Sequence, residues 1–391
     1  MQTRPCWVEI DTRALENNYH FLESLAAPDM EILAMVKADG YGHSLSLCVP
    51  ALARAGTRWM GITSVEEGVA VRALCPGVEV LVMGGVFAGQ GAAVVEHRLT
   101  AIAWEARQLD ELESAARRAG VQAGSLPVHL EIDTGMSRQG ASLEGLTAVL
   151  ARFAPGSPLK VEGVMTHLFA ADEADGRATQ AQLARLQEAL GRVEAAGLYP
   201  DWLNVGNSAA LLAGTGGAIA ALAARHGMKA MLRPGLALYG VTPRFEPEEP
   251  ASLAAARTRL KPVLSWKTAV VSVRTVPAGA VVGYNGTFVA TEPMRLALVA
   301  AGYADGLDRG LGNRFSLLVH GARAPLVGRV SMDQAVLDVT DIDGVDAGDE
   351  VVILGTQGQE TVSAYEHADA SGTIPWEVFT RIGARVRRIG V

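Results

Sequence analysis

The chain has 391 residues, 49% of them hydrophobic and 19% charged, with a formal net charge of −8. This composition excludes a disordered chain, and the length predicts two domains or one large barrel with an addition. An acidic chain without a basic block is not expected to bind nucleic acid or an anionic membrane. Three scattered cysteines, no apolar signal core and no apolar run of bilayer length predict a reduced, cytoplasmic protein without a metal site.

Between about residue 30 and residue 240, short apolar runs alternate with longer amphipathic stretches, which we interpret as strands and helices. The predicted strands are residues 32–36, 60–63, 78–83, 99–103, 128–132, 161–166, 202–205 and 231–232. One helix opens with the capping-box pair Ser64 and Glu67, and another is predicted over residues 176–196. Eight such strands predict a (β/α)8 TIM barrel. The rival, an open doubly wound sheet, would carry G-x-G-x-x-G after its first strand, and that motif is absent after Val36.

After residue 240 the pattern changes. The stretch P-R-F-E-P-E-E-P, residues 243–250, is rich in Pro and Glu and is interpreted as a linker. Beyond it, strand-like runs separated by turn signals are residues 263–276, 296–300, 315–319, 335–339 and 351–354. We therefore predict a barrel domain of residues 1–241 and a mainly β C-terminal domain of residues 242–391.

Lys37 ends the first predicted barrel strand, in the stretch I-L-A-M-V-K. A lone lysine there is ordinarily one whose stem is buried and whose ammonium reaches water. However, barrel active sites are built from the loops that follow the strands, and four other strands are also followed by polar side chains. These are Arg138 after the fifth strand, His167 after the sixth, Asn207 and Ser208 after the seventh, and Arg233 after the eighth. Five such loops on one rim predict an active site there.

The seventh and eighth loops have features of a phosphate site. Barrels often bind phosphate at these loops, through backbone N–H groups and a helix N-terminus. The seventh loop, G-N-S, precedes helix formers, and Gly235 in the eighth would let the backbone approach a ligand closely. The alternative is a plain helix cap at Ser208. Together with a strand-end lysine, the loops predict a phosphorylated aldehyde held as a Schiff base, which is pyridoxal phosphate.

Motifs distributed over nearly the whole chain resemble those of the alanine racemases, pyridoxal-phosphate enzymes of the barrel class. In the first domain they are W-V-E-I-D from Trp7, M-V-K-A-D-G-Y-G-H from Met35, D-T-G-M-S-R from Asp133, T-H at Thr166, G-N-S-A from Gly206 and R-P-G-L-A-L-Y-G from Arg233. In the second they are G-Y-A-D-G from Gly302 and G-R-V-S-M-D-Q from Gly328. The lysine motif alone would indicate the family only moderately, whereas the combination is highly specific.

The resemblance implies the roles of the site residues. Lys37 would form the Schiff base and serve as one base, and Tyr303 of the partner subunit would be the other. The implied phosphate contacts are Tyr41, Asn207, Ser208 and the backbone of Gly235 and Leu236. Arg138 would contact the ring hydroxyl of the cofactor, and Arg233 its pyridine nitrogen. His167 would hold Arg233 and the catalytic tyrosine in place. Arg138 and the Met332 backbone would contact substrate. The family architecture implies a homodimer with shared active sites, and bacterial cell-wall synthesis as the use of D-alanine.

The chemistry fits these residue types. Racemisation removes a proton from one face of Cα and returns one to the other, which one base on each face does directly. A tyrosine has an ordinary pKa of about 10, so we expect positive charge from His167 and Arg233 to lower it. Arginine stays charged and only donates to the pyridine nitrogen, which keeps that nitrogen neutral and favours return of the proton to Cα over transamination.

The chain departs from the family pattern at two positions. Glu131 stands where well-known members carry a carbamylated lysine, and we predict that its carboxylate pairs with Arg138 directly. Ala384 aligns with a tyrosine that in many members contacts phosphate and narrows the substrate entrance. A shift of one residue would bring Gly383 or Arg385 there instead.

Three alternatives remain open at this point. One is a racemase of broader or serine-preferring specificity on the same scaffold. Another is a barrel-plus-β decarboxylase of basic amino acids. Such an enzyme would be expected to place an acid at the pyridine nitrogen, so the R-P-G motif at Arg233 argues against this alternative. The last is a non-catalytic pyridoxal-phosphate carrier, which lacks a second domain and so lacks motifs such as G-Y-A-D-G around Tyr303.

Overall fold

The structure is a computed structural model that describes residues 4–391. The elements up to residue 261 are β1 (Cys6–Ile10), α1 (Thr12–Leu25), β2 (Glu31–Met35), α2 (Lys37–Tyr41), α3 (Leu45–Arg54), β3 (Trp59–Ile62), α4 (Val65–Leu74), β4 (Glu79–Val82), α5 (Gly91–Glu96), β5 (Thr100–Ala103), α6 (Ala106–Arg118), β6 (Leu126–Glu131), α7 (Leu146–Leu150), β7 (Leu159–Met165), α8 (Arg177–Ala195), β8 (Trp202–Asn204), α9 (Ser208–Leu212), α10 (Gly216–Arg225), β9 (Lys229–Leu232) and α11 (Ala251–Arg259).

The later elements are β10 (Leu264–Val276), β11 (Val281–Val282), β12 (Phe288–Val289), β13 (Met294–Val299), β14 (Ser316–Val319), β15 (Ala322–Pro325), β16 (Ala335–Asp338), β17 (Glu350–Gln357), β18 (Glu360–Val362), α12 (Ala364–Ser371), α13 (Pro375–Arg381) and β19 (Arg387–Gly390). Short 3₁₀ helices follow several of the loops, among them Leu236–Tyr239 after β9. The chain forms two compact units, one of residues 13–40 and 48–261, the other of residues up to 12, 41–47 and 262–391.

The first unit is a closed barrel. Within residues 4–391, the eight parallel strands β2 to β9 pair in sequence order, and β9 closes on β2 through the register Ile32 with Leu232. All residues of β3 and β5 are buried, as expected for parallel strands covered on both faces. In β3, a Cβ on Gly61 would lie 2.3 Å from Leu33 Cδ2, so a larger residue there would force the packed side chains around it to shift. The predicted barrel is confirmed.

The helices of the barrel begin where the sequence predicted. Ser64 Oγ accepts a hydrogen bond from the Glu67 N–H at 3.2 Å, and the Glu67 carboxylate accepts one from the Ser64 N–H, which completes the capping box of α4. The predicted helix over residues 176–196 is α8, which buries Leu186, Leu190 and Val193 at helical spacing.

The stretch interpreted as a linker packs against the barrel unit. The Ala174 N–H donates to the Glu246 carbonyl at 3.0 Å, and the side chain of Phe245 is buried. Helix α11 follows, and the sequence pattern did not indicate it. Contacts group these residues with the barrel, while the boundary after residue 241 stays a prediction about folding domains.

The second unit is mainly β, as predicted. Its sheet has the order β15-β14-β17-β10-β1-β19, with β13 also pairing with β10. Strand β1 comes from the start of the chain and pairs antiparallel with β10, Val8 opposite Trp266, and parallel with β19, Val8 opposite Arg388. In the described part of the chain, no helix combines the length and the apolar character needed to cross a membrane.

Candidate active site

Lys37 follows the carboxyl end of β2 and begins an unusual turn. Ala38, Asp39, Gly40 and Tyr41 have φ values of 52°, 54°, 64° and 54°, and with Gly42 at 80° five consecutive residues have positive φ. Side chains disfavour this conformation, by roughly 1–2 kcal/mol for each non-glycine residue. A backbone held in such a conformation needs support from its surroundings.

Glu67 supplies part of that support. Its Oε1 accepts a hydrogen bond from the Ala38 N–H at 2.6 Å, and its Oε2 accepts one from the Thr63 N–H at 2.9 Å. The side chain that caps α4 therefore also holds the backbone next to Lys37. The sequence indicated only the capping role.

The environment of Lys37 favours the uncharged amine. Burial lowers the pKa of Lys37, the positive charges of Arg138 and Arg233 lower it further, and Glu67 opposes the shift. An uncharged lysine amine is the form that acts as a nucleophile toward a carbonyl and as a base.

Arg233 lies deep beneath this rim, with 3% of its surface exposed. Its Nη1 donates to the carbonyl oxygen of Asn204 at 2.7 Å and to Oδ1 of the same residue. Its Nη2 donates to the Thr166 carbonyl at 2.9 Å and to His167 Nδ1 at 3.2 Å. The predicted contact between His167 and Arg233 is thus present, and Asn204, at the end of β8, is a partner that the sequence analysis missed.

The surroundings of His167 favour its neutral form. Burial lowers the pKa of His167 to about 3, and the charges of Arg233, Arg138 and Lys37 contribute. Because Arg233 donates to Nδ1, the ring carries its hydrogen on Nε2. This shift speaks against a positive charge on His167, and Arg233 is the cation of the pair.

Glu131 is 2% exposed, and burial raises the pKa of its carboxyl group. Its Oε2 accepts a hydrogen bond from Gln139 Nε2, which also donates to the Met83 carbonyl at 3.2 Å. Arg138 is exposed and, within residues 4–391, forms no ion pair with Glu131, although its charge lowers the pKa of that carboxyl group somewhat. The predicted direct pair of Glu131 with Arg138 is wrong, and Gln139 takes the place of the arginine.

The loops after β8 and β9 meet at Ser208. Its Oγ accepts hydrogen bonds from the N–H groups of Gly235 at 3.0 Å and Ala237 at 3.3 Å. Asn207, rather than Ser208, caps α9, since its Oδ1 accepts from the Ala210 N–H at 3.1 Å. The hydroxyl of Ser208 and the 3₁₀ helix that starts at Leu236 are consequently brought together.

Further contacts hold these loops to the end of β2. The Tyr239 hydroxyl donates to the Met35 carbonyl at 3.0 Å, two residues before Lys37. The barrel unit thus contains the Ser208 hydroxyl and the backbone N–H groups of its neighbouring loop, together with the Lys37 amine and the buried Arg233 guanidinium. This donor set suits a phosphorylated aldehyde, because the N–H and hydroxyl groups bind phosphate and the amine bonds the aldehyde carbon. Among residues 4–391, no cluster of three or more His, Cys, Asp or Glu side chains is placed to hold a metal ion.

The remaining predicted residues belong to the second unit. Tyr303 and Met332 are 43% and 53% exposed. Their loops are hydrogen-bonded to each other, because the Tyr303 N–H donates to the Ser331 carbonyl and the Ala304 N–H to the Met332 carbonyl, each at 3.0 Å. Tyr41 is buried in the segment 41–47 of this unit, and Ala384 is exposed between α13 and β19.

Comparison with known proteins decides the family. The family model for the alanine racemase N-terminal domain matches residues 10–243, and the one for the C-terminal domain matches residues 263–390. The alanine racemase of Sorangium cellulosum is 38% identical, with 98% of each chain covered. The chain belongs to the alanine racemase family.

Solved structures of alanine racemases share the fold. The enzyme from Streptomyces coelicolor superposes with a TM-score of 0.88 at 33% identity, covering 99% of this chain and 98% of that one. The enzyme from Bartonella henselae, crystallised with covalently bound pyridoxal phosphate, superposes with a TM-score of 0.82 at 27% identity, with 99% of both chains covered. Alanine racemases depend on pyridoxal phosphate, in agreement with the donor set around Lys37. A match to both domains disfavours the carrier and decarboxylase alternatives.

Proposed function

We propose that this chain interconverts L- and D-alanine with Lys37 and the partner subunit's Tyr303 as opposed bases. The observation that carries the proposal is the Lys37 amine, whose pKa is lowered at the rim of the barrel, above the buried Arg233 network. When bound, pyridoxal phosphate makes the Cα–H bond of an amino acid acidic enough for such bases.

Residues of the barrel unit, together with Tyr41 of the second unit, are proposed to hold the cofactor. Ser208 Oγ and the backbone of Gly235 and Leu236 would contact the phosphate, together with Tyr41 and with Asn207 as the cap of the adjoining helix. Arg138 would contact the ring hydroxyl and the substrate carboxylate, beside the Met332 backbone. The exposed, unpaired position of Arg138 in this structure is compatible with a side chain that orders on a ligand.

Arg233 is proposed to limit electron withdrawal by the ring. Its guanidinium cannot give up a proton at physiological pH, so toward a pyridine nitrogen it only donates a hydrogen bond. Three main-chain and side-chain oxygens and His167 fix its plane. A neutral pyridine favours the return of a proton to Cα, which is the outcome that racemisation needs.

The two bases act on opposite faces of Cα. Lys37 Nζ takes a proton from one enantiomer, or gives one to form it, and Tyr303 Oη does the same on the other face.

A homodimer with shared sites is proposed from the surface of the second unit. Aromatic and apolar side chains are exposed there, namely Val281, Tyr284, Val289, Tyr303 and Met332. Exposed apolar surface of this kind commonly marks a protein interface. In the proposed dimer, this surface of one subunit closes the barrel rim of the other.

We also propose a location and a role for this enzyme in the cell. The acidic balance and scattered cysteines favour a cytoplasmic enzyme. Family resemblance favours supply of D-alanine to the bacterial cell wall.

The test is to incubate the purified protein and pyridoxal phosphate with L-alanine and follow D-alanine, then to run the reverse reaction. L-serine and L-lysine are assayed in parallel, with Lys37→Ala as the blank. Equal approach to a racemic mixture from both enantiomers of alanine is expected. Release of carbon dioxide, or no turnover of any amino acid by a protein that binds the cofactor, would contradict the proposal.

A further inference from the structure

Asp305 is a buried carboxylate close in sequence to the exposed Tyr303. It is 1% exposed, within the second unit. Its Oδ1 accepts hydrogen bonds from Arg4 Nη1 at 2.6 Å and Arg385 Nε at 2.7 Å. Its Oδ2 accepts from the Gly302 N–H at 2.9 Å, the residue immediately before the tyrosine.

The backbone around this carboxylate is tightly packed. A Cβ on Gly302 would lie 2.4 Å from the carbonyl oxygens of both Ser331 and Met332, so only glycine fits. The Asp305 carbonyl accepts a hydrogen bond from the Gly383 N–H at 2.9 Å. One residue therefore ties the loop of Tyr303 to the loop of Met332 and to the segment that follows α13.

The two arginines extend the network to Asp333. Arg385 Nη2 pairs with Asp333 Oδ1 at 2.8 Å, and Arg4 donates to the Asp333 carbonyl. Asp305 and Asp333 both favour the charged form of Arg385 and raise its pKa above the ordinary value. Met332 lies directly before Asp333, so the same charges hold the backbone next to the proposed substrate contact.

This arrangement is weak evidence for a purely stabilising role. The buried Asp305 carboxylate loses its hydration, which offsets much of what its pairs with the partly exposed Arg4 and the exposed Arg385 contribute. At the same time, Tyr303 is 43% exposed, so packing within the unit does not hold its side chain. The position of its phenol then depends on the backbone that Asp305 anchors.

We propose that Asp305, with Arg4 and Arg385, is a positioning residue for racemisation, which sets where Tyr303 and Met332 stand toward the substrate. The inference rests on the proposed role of Tyr303 as a base. It assigns to Asp305 no contact with substrate or cofactor.

The experiment uses Asp305→Asn in the full-length, cofactor-loaded enzyme. Asparagine keeps the shape and can accept from the Gly302 N–H, but it loses the charge that pairs with the arginines. Because a misplacement near 1 Å can cost about a hundredfold, kcat should fall by about tenfold or more in both directions. Cofactor absorbance and affinity should not change, since the proposed cofactor contacts, apart from Tyr41, lie in the barrel unit.

Isotope effects separate positioning from loss of structure. With alanine deuterated at Cα, the isotope effect should rise for the enantiomer whose proton Tyr303 removes. It should fall toward unity for the other enantiomer, because there Tyr303 returns a proton that comes from solvent. Asp308→Asn is the matched control, an acid three residues along the same loop that pairs with Arg381 at the surface.

The possible outcomes distinguish the claims. Lower kcat with unchanged isotope effects, in step with a lower melting temperature, would overturn the positioning role and leave Tyr303 as a base. Near-normal rates in Tyr303→Phe would overturn the base itself and this inference with it. Should Asp305→Asn fail to fold, Arg385→Gln removes the same ion pair from its exposed side and must show the same opposed isotope effects.

Discussion

Lys37 is surrounded by more positive than negative charge, and this balance determines what its amine can do. Arg138 and Arg233 lower its pKa together with burial, while Glu67 alone raises it. The amine therefore gives up its proton more readily than a lysine in water. The same side chain can then hold an aldehyde and move a proton.

Lys37→Ala should remove both racemisation and the absorbance of lysine-bound cofactor, because no other amine lies at this rim among the predicted site residues. Absorbance spectra of the reconstituted variant, and D-alanine formation, measure the two effects. Lys160→Ala is the control, since that amine is exposed and pairs with Asp201. A variant that keeps the spectrum of the lysine-bound cofactor would show that the assignment of Lys37 is wrong.

Glu67→Gln tests how the charge of Glu67 affects the Lys37 amine. Glu67 favours the charged form of Lys37, so its neutral replacement should lower the pKa of the amine, and uncharged amine should persist to lower pH. The rate at which apoenzyme captures pyridoxal phosphate, measured against pH, should shift to a lower midpoint. Glu66→Gln, one residue earlier on the same helix and exposed, should leave the midpoint in place. An upward shift in Glu67→Gln would contradict the sign of this interaction.

Glu131 should make activity independent of bicarbonate. Its carboxylate is permanent, whereas a carbamylated lysine loses its carbon dioxide reversibly. Racemisation in degassed, bicarbonate-free buffer should equal that in bicarbonate buffer. The matched comparison is Glu131→Lys, in which activity should depend on bicarbonate. A loss of wild-type activity on degassing would contradict the prediction.

The partner of Glu131 shows where sequence spacing stops being informative. Arg138 and Gln139 are neighbours, so either could reach the carboxylate. The choice is made by the backbone, since Ser137 has a φ of 57° and Gly140 a φ of 115°, and these bends turn Gln139 inward. Such conformations depend on the packed loop rather than on residue type. The sequence likewise indicated Ser208 as the alternative helix cap, whereas Asn207 caps α9.

At the scale of elements, the barrel strands were predictable because each is a short apolar run between turns. The strands of the second unit were less predictable. Strand β1 alternates buried and half-buried residues, but its partners β10 and β19 come from distant parts of the chain. Strand β19, R-R-I-G, carries two arginines and has no strand-like pattern of its own. Its strand conformation comes from pairing with β1, at the other end of the chain, and its own residue pattern does not indicate a strand.

The segment between α13 and β19 places Ala384 in an exposed position. If it borders the substrate entrance, Ala384→Tyr should narrow that entrance and add one phosphate hydrogen bond, worth roughly 0.5–1.5 kcal/mol. Cofactor affinity should then rise, and the efficiency for serine relative to alanine should fall, within the about 1–3 kcal/mol that a pocket discriminates for one small group.

Cofactor titration and kcat/KM for both substrates measure these two effects. Arg387→Tyr, a nearby exposed position on β19, is the control. If Ala384→Tyr changes neither quantity, the alignment of this segment is wrong and other residues close the entrance.

At the scale of the molecule, the two proposed bases belong to different compact units. Lys37 lies in the barrel unit, and Tyr303 lies in the mainly β unit, which also exposes other aromatic and apolar side chains. An isologous dimer presents the same surface twice, so it would complete two sites at once. The central claim is that each site takes one base from each subunit.

Mixing two inactive variants tests this claim most directly. Lys37→Ala and Tyr303→Phe homodimers should each be inactive, while a heterodimer has one site with both defects and one intact site. After subunit exchange at equal concentrations, about a quarter of the wild-type activity per site should return, since about half of the dimers are mixed and each has one good site. If mass spectrometry shows the heterodimer and no activity returns, the two bases do not come from different subunits and the account is contradicted.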